Sequence, residues 1–363
     1  MRRREFNRNL LGLPLAAALP SMAFAAPSVD LHAMPPGGSI TDVPGLKVGQ
    51  YTHTERPTGC TVMLCEAGAT AGVDVRGSAP GTRETDLLSP TNVVDKVNAI
   101  LLSGGSAYGL DAASGVMRYL EEHSAGYKIG TLGVVPIVPA AILMDLGVGN
   151  FKIRPNAESG FKACVAATSG PVAEGCVGAG AGATIGKMFG PAFAMKSGLG
   201  TASVKVGNTG IVVGAIVAVN AIGDVVNPQT GKIVAGARSE DGKGYRDSMA
   251  AMLGGYSVLA QPAANTTIGV VATNAKFNKT QMTKIAQMAH DGYARAINPV
   301  HTMGDGDTIF SMSTGTSNVT ADVSAIGAIA ATVMARAIVR AAMMATSIPE
   351  LGLVAYRDYA GRG

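Results

Sequence analysis

The chain has 363 residues, of which 47% are hydrophobic and 15% are charged. Its formal charge of +4 lies mostly in the first residues, where four arginines face one glutamate, so the remainder offers no basic surface for nucleic acid. The lack of tryptophan and the 5% aromatic content also argue against a base-stacking platform.

The length fits one large α/β domain, and nothing from residue 40 onward resembles a linker. A low charge fraction leaves little polar surface, and we therefore expect a homo-oligomer. No Cys/His spacing typical of a zinc site occurs, so no metal or other cofactor is predicted.

The first 26 residues resemble a twin-arginine signal peptide. Arg3 and Arg4 precede a short apolar core at 10–19, and the small-x-small pattern of residues 23–25 is typical of a cleavage site. The core is too short to span a membrane. We expect a mature protein, residues 27–363, in the periplasm and without a membrane partner; an uncleaved amphipathic tail is the alternative.

The four cysteines are expected to be buried free thiols. Cys60 and Cys65 lie five residues apart in a strand-like run, so their side chains should point to opposite faces and not pair. The other two are Cys164 and Cys176. Export to the periplasm would permit disulfides, so their oxidation state stays open.

Hydrophobic periodicity predicts alternating strands and helices. Residues 27–38 are proline-rich and predicted to be disordered. The long apolar helix near the C-terminus is interrupted by Arg336 and Arg340, which favours a buried helix over a membrane span. The predicted strands cover 40–49 after a turn, 61–64, 71–75, 99–102, 211–219, 267–273 and 310–313, and the predicted helices follow 109 and cover 280–297 and 324–345.

Two glycine-rich stretches resemble nucleotide-binding loops but have the wrong spacing. Residues 103–109 join a strand to a helix without the GxGxxG pattern. In residues 178–187 the first glycine of a phosphate loop is replaced by Ala181, and Met188 stands where Ser or Thr is needed. Close approach of two backbone segments explains these glycines better.

The stretch from Asn265 to Asn274 begins polar and continues as a β-branched apolar run. Thr266 therefore lies where a loop becomes a rigid strand, which suits a nucleophile. Attack of its hydroxyl on the Asn265 carbonyl would yield an ester, and hydrolysis would leave Thr266 as a new N-terminus. A free α-amine has a pKa near about 7.7–8 and can act as general base. A plain turn followed by a core strand is the alternative.

Five further segments resemble the P1 family of self-processing peptidases, which includes L-aminopeptidase/D-esterase, β-peptidyl aminopeptidases and nylon-oligomer hydrolase. The resemblance runs from about residue 39 to the C-terminus. It implies a four-layer αββα sandwich, autocleavage into chains 27–265 and 266–363, and assembly as a tetramer. The matching segments are TGCTV (58–62), GVDVRG (72–77), APGTRET (79–85), LSGGSA (102–107) and VPIVP (135–139).

The resemblance also implies roles for individual residues. Asn265 and Thr266 would form the cleavage site, with Thr266 the nucleophile. The other candidates are Asp305 and Asp307, which would contact the nucleophile and its amine; Asn220, which would stabilise an oxyanion; Lys187, which would lie near the nucleophile; and Met144, which stands where relatives place an active-site tyrosine.

Each of these residues also has a purely structural interpretation. Asp305-Gly306-Asp307 could be an ordinary turn or a weak calcium loop. Asn220 could be a strand-end turn residue, and Lys187 a solvated charge. The polar loop containing Arg83, Glu84 and Asp86 is expected to form an ion network near the site.

The leading hypothesis is an N-terminal-threonine amidohydrolase that removes N-terminal residues from short peptides or related amides. An amine-directed acyltransferase of the ornithine acetyltransferase type and a non-catalytic periplasmic binding protein are the alternatives. The substrate stays open between α-peptides, β-peptides, D-residue amides and nylon-like oligomers.

Export is directly testable. N-terminal sequencing of the mature protein should begin near Ala26 or Pro27, because the small-x-small motif ends at Ala25. An intact Met1 start, recovered only from cytosol, would contradict the prediction.

Overall fold

A computed structural model describes residues 36–256, 265–317 and 319–361, so the predicted signal peptide lies outside the described residues. These residues belong to one compact unit, Leu31–Gly363. The α-helices in those ranges are α1 (Ala112–Glu122), α2 (Ala157–Val165), α3 (Ser248–Leu253), α4 (Lys279–Ala296) and α5 (Val323–Met343). The strands there are β1 (Lys47–Thr52), β2 (Gly59–Val75), β3 (Thr82–Arg83), β4 (Lys96–Ser103), β5 (Tyr127–Ile129), β6 (Gly133–Val135), β7 (Ala140–Ile142), β8 (Thr184–Ile185), β9 (Met195–Lys196), β10 (Leu199–Lys205), β11 (Val212–Asn220), β12 (Asp224–Val226), β13 (Ile233–Ala235), β14 (Thr266–Thr273), β15 (Ile297–Asn298), β16 (Thr308–Ser313) and β17 (Val354–Ala355).

The main sheet has the strand order β10-β11-β14-β16-β2-β4-β7-β3, with β1 also paired to β2. The long strand β2 joins its two halves. Residues Cys60–Leu64 pair with β4, and Thr70–Val75 pair with β16. A register irregularity separates the two parts, and Gly68 there adopts φ +81°. The two predicted strands 61–64 and 71–75 are therefore one strand, because a bulge and not a turn connects them.

Three hydrophobic clusters define four layers. One lies between the two halves of the sheet and contains Met63, Ile100 and Phe310. A second packs α4 and α5 against the outer face of β11, β14 and β16, and a third packs α1 against β2 and β4. Alternate residues of each strand enter different clusters, as the period of two requires. This is the predicted αββα arrangement.

The helices α4 and α5 confirm the predicted positions at 280–297 and 324–345 to within a few residues. Asn278 and Gln281 form a reciprocal capping box at the start of α4, and the Asp322 carboxylate accepts a hydrogen bond from the Ala325 amide of α5. The α5 helix has the length and apolarity of a membrane span, but it is mostly buried in the protein core. Arg340 near its end pairs with Glu174.

The cysteines are free, as expected, in the described part of the chain, and all are buried except Cys176, which is half-buried. Cys60 faces the cluster beneath α1 and Cys65 the cluster between the sheet halves, on opposite sides of β2. Burial raises the pKa of the Cys60 thiol well above its ordinary value and that of Cys65 to about 11.

A fully buried ion pair holds the loop after β7. The Arg56 guanidinium lies 2.8 Å from the Asp145 carboxylate, and both side chains are 0% exposed. Arg56 also donates to the carbonyls of Val148 and Ile153, each at 2.7 Å, while Asp145 accepts from Thr58 at 2.6 Å. These bonds satisfy both charges and fix the loop that carries Met144.

Removing one partner of this pair should be costly. Asp145→Asn leaves the Arg56 charge buried without its carboxylate, and we expect a loss of about 3–5 kcal/mol in the free energy of unfolding. Denaturant unfolding measures the loss. The matched control is Glu66→Gln, whose exposed partner Lys47 lies 2.9 Å away and which should cost less than about 1 kcal/mol. Equal, small losses in both variants would contradict the expectation.

Candidate active site

Thr266 begins β14, as the sequence predicts, and is 2% exposed. It pairs with Asn220, the last residue of β11, across the antiparallel register. Ile268 and Val270 of the same strand enter the cluster between the sheet halves, so alternation directs the Thr266 side chain to that side as well. Its Oγ1 donates a hydrogen bond to the Asn265 carbonyl, which belongs to the predicted scissile bond.

The Asp305-Gly306-Asp307 turn lies beside this bond. Asn265 forms a parallel bridge with Asp305, and the Gly306 amide donates to the Asn265 carbonyl at 3.0 Å. The Thr267 amide donates to the Asp307 carboxylate at 2.7 Å. The turn therefore contacts both sides of the predicted cleavage site, and it supplies a backbone donor to the carbonyl that would be attacked.

Gly306 has no room for a side chain. A Cβ atom there would lie 2.6 Å from the Ala79 carbonyl and 2.9 Å from Thr266 Oγ1. The loop after β2 encloses the turn, because the amides of Arg76 and Gly77 donate to the Asp307 carbonyl at 3.0 and 3.2 Å. The motif GVDVRG thus serves to hold the turn against the nucleophile.

The two carboxylates have different partners. Asp305 accepts hydrogen bonds from the amide and hydroxyl of Thr302 at 2.8 and 2.6 Å. Asp307 accepts from Thr267 and from His301. Both carboxylates are 1% exposed. Burial, and then the nearby Asp307 carboxylate, raise the pKa of Asp305 to about 6.

Asn220 links the remaining predicted residues. Its Oδ1 accepts from the Thr184 amide at 3.0 Å and from the Lys187 ammonium at 3.0 Å. These two donors fix the orientation of the side-chain amide, so its NH₂ group faces the Met144 carbonyl at 3.0 Å. Met144 thus contributes its backbone carbonyl to this network. The family resemblance had pointed instead to its side chain, which stands where relatives place a tyrosine.

Lys187 lies beside the two aspartates. Burial lowers the pKa of its ammonium to about 7, although the Asp305 and Asp307 carboxylates act in the opposite direction. The side chain as a whole is only half-buried. Its Nζ atom, however, bonds to both the carbonyl and Oδ1 of Asn220, at 2.9 and 3.0 Å.

The glycines of residues 178–187 allow this segment to pass close to its neighbours, as expected. A Cβ at Gly180 would lie 2.1 Å from the Leu199 amide, and one at Gly182 would lie 2.6 Å from the Asp145 side chain. The close approach brings Thr184 and Lys187 to Asn220.

The predicted ion network of the loop at 76–86 is wrong. In the part of the chain that the structure describes, Arg83 contacts Ser114 and Met117, and Glu84 accepts from the Val138 amide at 2.9 Å. No ion pair among the described residues joins any two of Arg83, Glu84 and Asp86. The loop reaches the site through the backbone amides of Arg76, Gly77 and Ala79, which donate to the carbonyls of Asp305 and Asp307.

Three contributors were missed by sequence reasoning: Thr184, His301 and Thr302. Each lies in a loop or at the end of a two-residue strand, where hydrophobic periodicity carries no information. The described residues contain no group of three or more His, Cys, Asp or Glu side chains arranged to hold a metal ion.

Residues 38–352 match Peptidase family S58. The chain belongs to this family. An uncharacterised aminopeptidase of Mycobacterium leprae is 44% identical over 344 residues, covering 86% of this chain and 92% of that protein. A 6-aminohexanoate-oligomer endohydrolase of a Kocuria species is 32% identical over 319 residues, covering 83% and 85%. The S58 protein is thus a hydrolase acting on amide bonds, as the sequence resemblance implies.

Solved structures share the fold. A β-aminopeptidase of a Burkholderia species superposes with a TM-score of 0.64 at 22% identity, over 92% of this chain and 95% of that one. The L-aminopeptidase D-Ala-esterase/amidase of Ochrobactrum anthropi, described as a variant of the Ntn hydrolase fold, gives 0.64 at 20% identity, over 90% and 93%. The likeness confirms the predicted fold class.

Proposed function

We propose that this S58 hydrolase processes itself at Asn265–Thr266 and then uses Thr266 as an N-terminal nucleophile on short peptides or related amides. The contact between Thr266 Oγ1 and the Asn265 carbonyl carries this proposal. The same carbonyl receives the Gly306 amide, a donor placed to stabilise the negative charge that attack would create.

Processing begins when Thr266 Oγ1 attacks the Asn265 carbonyl carbon and gives up its proton. Lys187 is the proposed base, because a lysine with a pKa of about 7 is substantially neutral near pH 7. The tetrahedral intermediate then expels the Thr266 nitrogen, which takes up a proton, and leaves an ester. Water hydrolyses the ester to an Asn265 carboxylate and a free Thr266 amine.

Turnover repeats the attack on a substrate amide. The new Thr266 amine is the proposed base, and Asp305 and Asp307 hold it in place. The Asn220 side-chain NH₂ has one hydrogen on the Met144 carbonyl and a second for a substrate oxyanion. Loss of a single such donor typically costs about 2.7–4 kcal/mol in the transition state.

The names of the relatives suggest the substrate class. The 44% identical relative is named an uncharacterised aminopeptidase, and the 32% identical relative a 6-aminohexanoate-oligomer endohydrolase. We propose N-terminal residues of short peptides as substrates, with linear amides second. A panel of amino-acid p-nitroanilides and 6-aminohexanoate oligomers would discriminate them, and transfer of the acyl group to an added amine would instead favour the acyltransferase.

The proposal includes a periplasmic location and assembly as a tetramer. The twin-arginine pattern supports a periplasmic protein. The exposed apolar side chains of the β5–β6 hairpin, with Leu132 89% and Tyr127 47% exposed, support contact between copies in a tetramer. Light scattering that gave a single copy would contradict the assembly.

Cleavage should occur without added protease and give a chain of 98 residues (363 − 265). Thr266→Ala should stay one chain and be inactive, because it lacks the attacking hydroxyl, whereas Thr266→Ser should still cleave. Thr267→Ala is the matched control and should also cleave, since its hydroxyl is not adjacent to the scissile carbonyl. Denaturing mass spectrometry of the four proteins decides the matter. An active Thr266→Ala or an active, uncleaved wild type would overturn the mechanism.

The rate of processing should rise with pH through the pKa of Lys187, about 7, because only the neutral amine accepts a proton. Lys187→Met should slow processing about 100-fold and remove this rise. Lys187→Arg should also be slow, since arginine stays charged. Lys205→Met, at an exposed lysine, is the control. Time courses of the newly synthesised chain at several pH values measure the rate, and an unchanged profile in Lys187→Met would exclude Lys187 as the base.

A further inference from the structure

His301 makes two hydrogen bonds to one oxygen of Asp307. Its backbone amide and its ring Nδ1 lie 3.0 and 2.9 Å from Asp307 Oδ2. The other oxygen accepts from the Thr267 amide at 2.7 Å. His301 therefore supplies two of the three bonds that fix this buried carboxylate beside the first residues of β14.

The backbone of His301 is held in an unusual conformation. Its φ of +58° lies in the left-handed region, which is unfavourable for a residue with a Cβ. This conformation accompanies the approach of both the amide and the ring to the same oxygen. Such a conformation beside the proposed site points to a functional constraint.

The ring of His301 is enclosed by other aromatic rings. It stacks on Tyr293, with centroids 5.9 Å apart, and meets the edge of His290 at 4.8 Å. His290 in turn lies 3.0 Å from the Asp74 carbonyl, and the Asp74 carboxylate pairs with Arg76 at 2.7 Å. The His301 ring thus contacts Asp307, His290 and Tyr293. Asp74 and Arg76 contact it only through His290.

Two observations define the hydrogen-bonding role of the ring. Because Nδ1 faces a carboxylate, it carries a hydrogen in either protonation state. Nε2 is buried without a hydrogen-bond partner among the residues described. Burial lowers the pKa of His290 to about 4, so that this neighbour is neutral near pH 7. Among the described residues, the ring of His301 therefore makes its hydrogen bond to Asp307 alone.

We infer that His301 is a positioning residue, which acts on Thr266 through Asp307. Its Nδ1–H and amide hold the Asp307 carboxylate against the Thr267 amide and thereby set the start of β14, where the nucleophile lies. The inference rests on the proposed function of Thr266 and Asp307. It assigns His301 no contact with substrate.

Three substitutions separate the hydrogen bond from the backbone conformation. His301→Asn places an amide NH₂ near the position of Nδ1 and tolerates a positive φ. His301→Gly accepts the positive φ but has no donor side chain. His301→Gln has the donor one bond too far along the side chain. His290→Asn is the control, since it alters the neighbouring ring and leaves the bond to Asp307 intact.

Processing is followed by denaturing mass spectrometry, and turnover of the processed enzyme by hydrolysis of an amino-acid p-nitroanilide. We expect His301→Gly and His301→Gln to lose about 100-fold in processing rate and in kcat, with KM changed less than about threefold. His301→Asn should stay within about threefold of wild type. His290→Asn should lower thermal stability but keep kcat. Processing in the full chain gives the readout where a variant yields too little cleaved enzyme.

Asp307→Asn, measured in the same experiments, separates a failure of the proposed role of Asp307 from a failure of the proposed role of His301. If it retains the wild-type rates, the proposed role of Asp307 fails and the inference fails with it. If it is slow while His301→Gly and His301→Gln match wild type, only the inference is overturned. If His301→Asn is as slow as His301→Gly at equal folded fraction, the side-chain bond is not the cause and the inference is equally wrong.

Discussion

The site depends on the parallel pairing of β14 with β16. Parallel strands start at the same edge of a sheet, so the residues before β16 lie beside the residues before β14. Asp305 therefore bridges Asn265 although the two are forty residues apart. Such a pairing needs a long crossover, which α4 provides, and the antiparallel strand β11 brings its last residue to the same edge.

This edge carries several ionisable groups in a largely buried region. Two carboxylates and one ammonium there would each be costly to bury alone. Each is instead hydrogen-bonded to backbone amides, hydroxyls or the Asn220 side chain, and the opposite charges of Lys187 and the aspartates reduce the cost further. The rest of the cost of burial shifts the pKa values of two groups. It raises the pKa of Asp305 and lowers that of Lys187, so that both lie close to neutral pH.

Sequence reasoning located the strands β11, β14 and β16 and the helices α4 and α5 because their apolar patterns are local. It divided β2 in two, since a bulge around Gly68 resembles a turn until the pairing partners are known. Thr266 was singled out by its place at the start of a strand. Resemblance to a family added Asn220, Asp305, Asp307 and Lys187, and the structure brings these residues together at one edge. Their contacts arise from pairings distant in sequence.

His301 was missed and the ion network of the Arg83 loop was wrongly predicted for the same reason. His301 lies in an irregular segment and Arg83 in the two-residue strand β3, and in both places the sequence shows which groups are polar but not which partners they meet. In the loop after β2, the backbone amides proved to be the donors, so the polar side chains were misleading. At His301, a single histidine between a proline turn and an Asp-Gly-Asp turn gave no pattern at all.

The position of Gly306 connects folding to chemistry. Its amide reaches the Asn265 carbonyl only after β16 has paired with β14, so an unfolded chain lacks this donor. On the proposed mechanism, cleavage therefore follows folding. Cleavage would also free the Asn265 carboxylate to move away, and the Gly306 amide would then face the space that a substrate carbonyl must enter. One backbone donor would serve first the chain's own peptide bond and then the bonds of its substrates.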